Sequence, residues 1–294
     1  MASTRLTLSG GWRAVAVLRD SEGNELSRSD WRQVLDEPQR LLDGGGERLK
    51  SDAFGSVAVR TIRLGKRDIR VVVKVQKKAA GFTEFLRWLR PAKAMRTFRT
   101  ALKLQTLGIA AEYPLAAVER RKGLWATCSV YISEYIEHSR NLYYFLRDDL
   151  GTFGGRESAC RRAASGQIAG ILARLHKNGL WHRDAKSGNF LVRREQDGSC
   201  RVILVDVDGI KPYRFCRRRC RFRSLVKLAS TVLCHRSIHR SDYWRTFSIY
   251  CELTAVHEDR RRLFGELAMR AAAVRLLSMA TSAMEGRATF VGEK

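Results

Sequence analysis

The chain has 294 residues, of which 45% are hydrophobic, so it can bury a core and general intrinsic disorder is excluded. Its 55 Lys and Arg residues against 30 Asp and Glu give a net charge of +25, which favours polyanionic partners such as nucleic acid or anionic lipid. The sequence contains no apolar run of about 18 residues, so no membrane-spanning helix is predicted.

The seven cysteines are odd in number and include no Cys-x-x-Cys pair. Cys216 and Cys220 have no matching second pair with the spacing of a zinc site. We therefore expect reduced thiols, as in a cytoplasmic protein. The residues that follow Met1 lack the long apolar segment of a secretion signal, which gives the same expectation.

The first part of the chain reads mainly as strands. Val57, Val59 and Thr61 alternate with Ala58, Arg60 and Ile62, and Val71–Val75 is rich in β-branched residues, as strands are. Pro91 is suited to a first helical turn, and the apolar spacing that follows predicts a helix up to Gly108. Val130–Ile136 then reads as another strand.

The second part reads mainly as helices. Helical spacing begins near Arg156 and continues to a cap at Asn178-Gly179. Two short strands around Asp197-Gly198 predict a hairpin, and helical patterns continue to Lys294. A strand-rich part followed by a helix-rich part predicts an α+β fold with two lobes, joined by a hinge at Ile136–Leu142. The predicted division is an N-terminal extension packing on the N-lobe (1–45), an N-lobe (46–136) and a C-lobe (137–294).

The stretch His182–Asn189 carries the strongest chemical signal. It reads His-Arg-Asp-Ala-Lys-Ser-Gly-Asn and matches H-R-D-x-x-x-x-N, the catalytic-loop pattern of kinases. Asp184 can orient an acceptor hydroxyl and take its proton, and Asn189 offers Mg²⁺ a hard oxygen ligand. Lys186 can reach the transferring phosphate. His182 and Arg183 are expected to organise the loop.

A second acidic site follows the apolar strand Val202–Val205. Asp206 comes directly after this strand, where the kinase metal-binding D-F-G sequence stands. We therefore assign the second magnesium ligand to Asp206. Asp208 remains the alternative.

The phosphate-binding lysine is predicted upstream. Val71-Val72-Val73-Lys74 resembles the kinase V-A-I-K sequence, so Lys74 is predicted to contact the ATP phosphates, with Lys77 and Lys78 as alternatives. Gly55 is the one glycine of the segment 49–59, where a glycine-rich phosphate loop would stand.

These residues together resemble the lipopolysaccharide kinases, which phosphorylate Kdo or heptose and have a protein-kinase-like fold. The resemblance spans about residues 49–253. Besides the catalytic loop it includes Leu107-Gly108-Ile109 with Pro114-Leu115-Ala116, then Leu204–Ile210 and the arginine-rich tract after it. It implies that Asp184 is the catalytic base and that Glu134, Tyr135 and Ile136 bind adenine through their backbone. It also implies ATP and Mg²⁺ as cofactors.

The chain departs from ordinary protein kinases at two places. The predicted helix 93–107 has no acidic residue to pair with Lys74, so Glu84 or Glu112 must substitute, or Lys74 is held otherwise. No Ala-Pro-Glu sequence follows Asp206, which favours a non-protein acceptor.

A basic tract follows the metal-binding segment. No acid occurs between Gly209 and Ser241, and Phe215 and Phe222 are interleaved among the arginines. Such a tract is either a solvated surface or a site for a phosphorylated glycolipid of the lipid A–core type at the inner leaflet. Nucleic acid, which the same pattern would suit, is not expected because no nucleic-acid motif accompanies it. The predicted acceptor-binding residues are Arg217, Arg218, Arg219, Arg221 and Arg223.

The sequence thus predicts a cytoplasmic kinase, peripheral on the inner membrane, that transfers the γ-phosphoryl group of ATP to a sugar hydroxyl of a lipopolysaccharide core or similar glycolipid. Two alternatives remain open. One is an atypical serine/threonine protein kinase, which Lys186 after the catalytic Asp favours. The other is a pseudokinase-like module that binds an acidic partner.

Overall fold

The structure, a computed structural model, describes residues 2–36, 46–52, 55–77, 91–122, 125–149, 155–195, 197, 199–213, 217–233, 235 and 238–284. The chain forms two compact units, Met1–Glu137 and His138–Lys294. The first contains one large antiparallel sheet and the second is mainly helical.

The described residues of the first unit form seven strands and two helices. The sheet order is β1-β2-β6-β7-β5-β4-β3, with every neighbouring pair antiparallel. The elements are β1 (Ser3–Thr7), β2 (Trp12–Val17), α1 (Arg28–Leu35), β3 (Glu47–Asp52), β4 (Gly55–Leu64), β5 (Arg67–Lys77), α2 (Lys93–Thr106), β6 (Pro114–Lys122) and β7 (Trp125–Glu134).

The central strand β5 shows why this sheet forms. Val71, Val73 and Val75 alternate along the strand and are all buried, because successive side chains point to opposite faces. On the opposite face, Lys74 is only partly buried. Helix α2 packs against β6 and β7 and buries Phe98 and Leu104. The N-terminal strand β2 pairs with β6, so the first residues of the chain extend the sheet itself.

The second unit places short strands among helices. Strand β10 pairs with β8 and β11, and β9 pairs with β12. Helix α4 packs against β11 and α6, and α5 packs against α7. The elements are β8 (Ser139–Asn141), α3 (Leu142–Tyr144) with a π-turn (Phe145–Asp149), α4 (Gly155–Lys177), β9 (Leu180–His182), β10 (Phe190–Arg194), β11 (Cys200–Leu204), β12 (Ile210–Pro212), α5 (Arg217–Val232), α6 (Arg240–Leu253) and α7 (Arg260–Met284).

Two cysteines of this unit are joined. Cys160 in α4 and Cys200 in β11 form a disulfide with a Cα–Cα separation of 5.5 Å, within the range that disulfides need. The expectation that all cysteines are reduced is therefore wrong for this pair. The packing of α4 on β11 brings the two residues together, and sequence spacing gives no sign of that contact. Cys251 is a buried thiol.

Across the residues that the structure describes, no helix combines the length and the apolar character needed to cross a bilayer.

Candidate active site

Lys74 has a buried acidic partner. Its Nζ lies 3.2 Å from Oε2 and 3.4 Å from Oε1 of Glu112, and the Glu112 side chain is 4% exposed. Glu112 stands between α2 and β6, and the Gln105 side chain donates to its backbone carbonyl at 3.3 Å. Of the two acids that the sequence left open, the structure thus pairs Glu112 with Lys74. The other, Glu84, lies outside the described residues, as does Lys78.

The Lys74–Glu112 pair stands against Tyr131. The Lys74 ammonium is 5.9 Å from the centre of the Tyr131 ring, which is completely buried. Burial and then the charge of Glu112 raise the pKa of Tyr131 well above its usual value, so the phenol stays neutral. The Glu112 carboxylate and the uncharged Tyr131 ring thus both lie near the lysine ammonium.

Gly55 approaches the neighbouring strand so closely that a side chain would not fit. A Cβ at this position would collide with the backbone carbonyl of Val75, which lies beside it in the β4–β5 pairing. The glycine at the start of β4 is thus required by packing, whatever its role toward a ligand.

Glu134 ends β7, and its backbone N–H donates to the carbonyl of Tyr113 at 3.0 Å. Its carboxylate accepts a hydrogen bond from the backbone N–H of Ser21 at 2.8 Å. Burial raises the pKa of Glu134, against the hydrogen bonds from Ser21 that lower it. Ile136 follows two residues later in the loop that ends this unit.

In the second unit, His182 holds the catalytic loop in shape. It is completely buried, its Nδ1 accepts the backbone N–H of Asp184 at 3.1 Å, and its carbonyl accepts the Ser224 hydroxyl at 2.9 Å. Burial lowers the pKa of His182, although the nearby carboxylates of Asp206 and Asp184 act to raise it. The neutral ring therefore organises the loop, as the sequence predicted.

Asn189 is fixed by the same loop. Its Nδ2 donates to the carbonyl of Asp184 at 2.8 Å, its backbone N–H donates to Lys186, and its own carbonyl accepts from Val205 at 2.9 Å. Because Nδ2 is used in this way, the amide oxygen is the atom that Asn189 can offer to a cation.

Two ammonium groups hold the carboxylate of Asp184. Lys186 Nζ lies 3.0 Å from Oδ2, and Lys227 Nζ lies 3.5 Å from Oδ1. Partial burial acts to raise the pKa of Asp184, but the hydrogen bonds and charges of Lys186 and Lys227 outweigh it and lower the pKa below 3.8. The carboxylate is thus ionised at neutral pH.

Asp206 stands in an unusual backbone conformation at the end of β11. Its φ is 60° and its ψ is 45°, the left-handed region that non-glycine residues seldom adopt. A 3₁₀ turn follows, and the carbonyl of Gly209 at its end accepts the backbone N–H of Arg183 at 3.1 Å. A Cβ on Gly209 would lie 2.8 Å from the His182 ring, so only glycine fits here. The segment after β11 and the catalytic loop are thus packed against each other.

The donor set of this unit suits magnesium. Mg²⁺ is commonly bound by one or two protein oxygens together with phosphate oxygens and waters, and the amide of Asn189 with the carboxylate of Asp206 is such a set. No group of three or more His, Cys, Asp or Glu residues in the described parts of the chain is arranged to hold a metal by itself.

Helix α5 supports the catalytic loop through residues that the sequence analysis did not single out. Thr231 accepts the backbone N–H of Ser187 at 2.9 Å, and Lys227 and Ser224 make the contacts given above. Residues 224, 227 and 231 are three or four apart and so share one face of the helix. That spacing was visible in the sequence, but nothing local indicated that this face meets the loop.

The predicted acceptor-binding arginines differ in exposure. Arg217, Arg218 and Arg219 are exposed on the first turn of α5. Arg218 forms an ion pair with Glu258, so part of its charge is neutralised within the unit.

The other two predicted arginines make internal contacts. Arg221 donates from Nη2 to the carbonyl of His176 at 3.4 Å, and Arg223 lies 5.7 Å from the centre of the Trp181 ring. Arg221 is partly buried, whereas Arg223 is exposed beside its ring. The basic tract thus combines outward charge with packing on neighbouring elements.

Comparison with known proteins gives the family. Residues 77–250, more than half of the chain, match the model of the lipopolysaccharide kinase (Kdo/WaaP) family. No curated protein matches the sequence. A solved structure described as WaaP in complex with acyl carrier protein is 17% identical, with a TM-score of 0.61 over 83% of this chain and 96% of that chain.

Two kinase domains are also similar, at lower scores. The kinase domain of a rhoptry antigen from Toxoplasma gondii is 13% identical, with a TM-score of 0.46 over 79% of this chain and 83% of that one. The PknI kinase domain of Mycobacterium tuberculosis is 13% identical, with a TM-score of 0.41 over 76% and 94% of the two chains.

The predicted α+β, protein-kinase-like fold is confirmed, since a strand-rich unit precedes a helical one and the WaaP structure aligns with most of the chain. The prediction of an ATP-dependent phosphotransferase is confirmed as well, because the matched family is a kinase family. The chain therefore belongs to the lipopolysaccharide kinase (Kdo/WaaP) family.

Proposed function

We propose that this kinase transfers the γ-phosphoryl group of ATP to a sugar hydroxyl of a lipopolysaccharide core or a closely similar glycolipid. The observation that carries the proposal is the carboxylate of Asp184, which is held between two ammonium groups on a loop of kinase pattern. The family match supports the glycolipid class of acceptor.

Asp184 acts as the base in this proposal. It accepts the proton of the acceptor hydroxyl as that oxygen bonds to the γ-phosphorus and the bond from phosphorus to the leaving oxygen of ADP breaks. Its ionised state supports this role, because only a carboxylate can receive the proton. Lys186, which already contacts Asp184, is positioned by its charge to stabilise the transferring phosphoryl group.

Asn189 and Asp206 are proposed to hold magnesium through their oxygens. When bound, the ion supplies positive charge that screens the phosphate oxygens during transfer. In the first unit, Lys74 would contact the α and β phosphates while Glu112 orients it. Because Gly55 has no side chain, the backbone there could approach the phosphates closely. The backbone of Glu134 and Ile136 would bind the adenine.

The basic tract is proposed to bind the phosphorylated glycolipid at the inner leaflet. The exposed guanidinium groups of Arg217, Arg218 and Arg219 suit phosphate groups, since arginine donates two parallel hydrogen bonds to such oxygens. Arg221 and Arg223 would hold this part of α5 in place as well as add charge. An anionic bilayer surface would be attracted by the same charges.

The test is phosphoryl transfer by the purified full chain with radiolabelled ATP. The acceptors are core glycolipid purified from a host strain that lacks this protein, and a generic basic protein as the alternative acceptor. We expect label in the glycolipid and loss of at least about 1,000-fold in kcat for Asp184→Asn, since the base is removed. Asp68→Asn, which changes an exposed carboxylate in the same way, should retain full activity.

Mass spectrometry of the product then identifies the sugar and the hydroxyl. Label in the protein substrate instead of the glycolipid would support the alternative of an atypical protein kinase and refute the proposal. Full turnover by Asp184→Asn would refute the assignment of the base.

A further inference from the structure

Helix α7 is apolar on two opposite faces. One face packs inward, where Leu267 and Ala271 are buried and α7 contacts α5. The other face carries large apolar side chains in solvent, with Met269 68% exposed and Leu277 69% exposed. Single exposed apolar residues are ordinary, but a row of them along one helix marks an interaction surface.

Six of the exposed apolar residues of α7 form one continuous stripe. At about 100° per residue they fall within a sector of roughly 160° that faces away from the buried side. Over about 12 residues the stripe extends for roughly 17 Å along the helix. We call it the outward stripe; it consists of Met269, Ala273, Leu276, Leu277, Met279 and Ala280, all of them exposed.

Positive charge borders the outward stripe. Arg270 and Arg275 lie on its two sides, and the sequence has no acid between Glu266 and Glu285. Arg270 also lies 5.0 Å from the ring centre of Phe222 in α5, so the basic tract stands beside the same helix. An apolar row flanked by arginines is the pattern of helices that lie in a bilayer interface, with charges among the headgroups.

We propose that the outward stripe of α7 inserts into the headgroup–acyl boundary of an anionic bilayer, with the helix parallel to the membrane surface. Two copies of the stripe packed together would bring Arg270 and Arg275 near their like-charged counterparts without an acid to compensate. An anionic lipid surface pairs with those arginines instead, and it attracts a chain whose net charge is +25. The proposal rests on the proposed function only in that a glycolipid acceptor brings the kinase to a bilayer.

The test is co-sedimentation of the full chain with vesicles, without ATP or acceptor. Vesicles of phosphatidylcholine alone are compared with vesicles that contain about 30% phosphatidylglycerol. We expect at least about tenfold stronger partition to the anionic vesicles. The double variant Leu276→Glu with Leu277→Glu should bind the anionic vesicles at least about 30-fold more weakly than the wild type.

A matched control carries the same change on exposed leucines elsewhere. Leu49→Glu with Leu253→Glu adds the same two charges at positions that are 53% and 41% exposed, and it should bind vesicles within about twofold of the wild type. Leu277→Trp gives a variant in the opposite direction and should bind more tightly, because Trp favours the interface.

Several results would overturn the proposal. Binding of the double Glu variant equal to that of the wild type would do so, as would equal binding to neutral vesicles. A wild-type dimer that the double Glu variant converts to a monomer in light scattering, without any vesicle binding, would identify a second copy as the occupant instead.

A further assay separates this proposal from the proposed function. The double Glu variant should phosphorylate deacylated core oligosaccharide at the wild-type rate and lose activity toward acceptor embedded in vesicles. Vesicle binding without phosphorylation of either acceptor would refute the proposed function and leave the membrane role of α7 standing. Phosphorylation of both acceptors without vesicle binding would refute the membrane role of α7 and leave the proposed function standing.

Discussion

Replacing Glu112 by Gln removes the charge that faces Lys74 and keeps the shape of the side chain. The nearest approach of the two groups is 3.2 Å, and their side chains are 17% and 4% exposed. At this distance and an effective dielectric constant of about 20, the Coulomb attraction is about 5 kcal/mol. Removing one partner of a buried pair costs about 3–5 kcal/mol, and the remaining amide oxygen of Gln offsets part of it. We expect the free energy of unfolding to fall by about 2–3 kcal/mol.

Urea unfolding and ATP kinetics check this prediction. The matched control is Glu137→Gln, which breaks the Arg70–Glu137 pair; its groups are 2.7 Å apart but the side chains are 45% and 44% exposed. Such a surface pair contributes less than about 1 kcal/mol. Glu112→Gln should also lower kcat/KM for ATP by about 100-fold, since Lys74 loses its orientation. Equal losses of stability in the two variants, with unchanged ATP kinetics, would refute the reasoning.

Three further predictions concern the second unit. Lys227→Met should raise the pKa of Asp184, because it removes a charge 3.5 Å away, and should move the acid limb of the pH–rate profile to higher pH; an unchanged limb would contradict it. The lowered pKa of Asp184 stabilises the folded state at pH values above the unfolded-state pKa near 3.8, and this stabilisation is lost as the pH falls below it. Gly209→Ala should cost about 1–3 kcal/mol in urea unfolding through its contact with His182, and full stability would contradict the observed packing. Cys160→Ser opens a disulfide that spans 40 residues and should cost roughly 4 kcal/mol in non-reducing urea; no loss would show that the bond does not stabilise the fold.

The catalytic loop was predictable because its chemistry is local. His182, Asp184 and Asn189 lie within eight residues, and the hydrogen bonds that join them run within that loop. The position of Asp206 just after a strand was predictable for a similar reason, since an apolar run leads to it, while its role as a magnesium ligand stays a prediction. The spacing of residue types along the chain is enough to predict a site wherever one loop supplies both the functional side chain and the residues that hold it.

The partners supplied by other elements were not predictable in this way. The sequence left the partner of Lys74 open, because 38 residues separate it from Glu112 and no periodicity links a strand to the loop before β6. The disulfide between α4 and β11 was unpredictable for the same reason, since sequence spacing does not determine which cysteines meet. Lys227 was one cation among many in a basic tract, and only the packing of α5 distinguishes it.

Helix α5 connects two parts of the proposed chemistry. Its first turn presents the exposed arginines of the basic tract, and about three turns later Lys227 and Thr231 contact the catalytic loop. A rigid helix transmits a shift of one end to the other, so acceptor phosphates bound at the first turn would also bear on the charge beside Asp184. The variants that reverse the charge of Arg217 and Arg219 must therefore be compared with Lys227→Met in the same assay. A loss confined to acceptor KM locates the effect in binding, and a displaced pH profile locates it at the carboxylate.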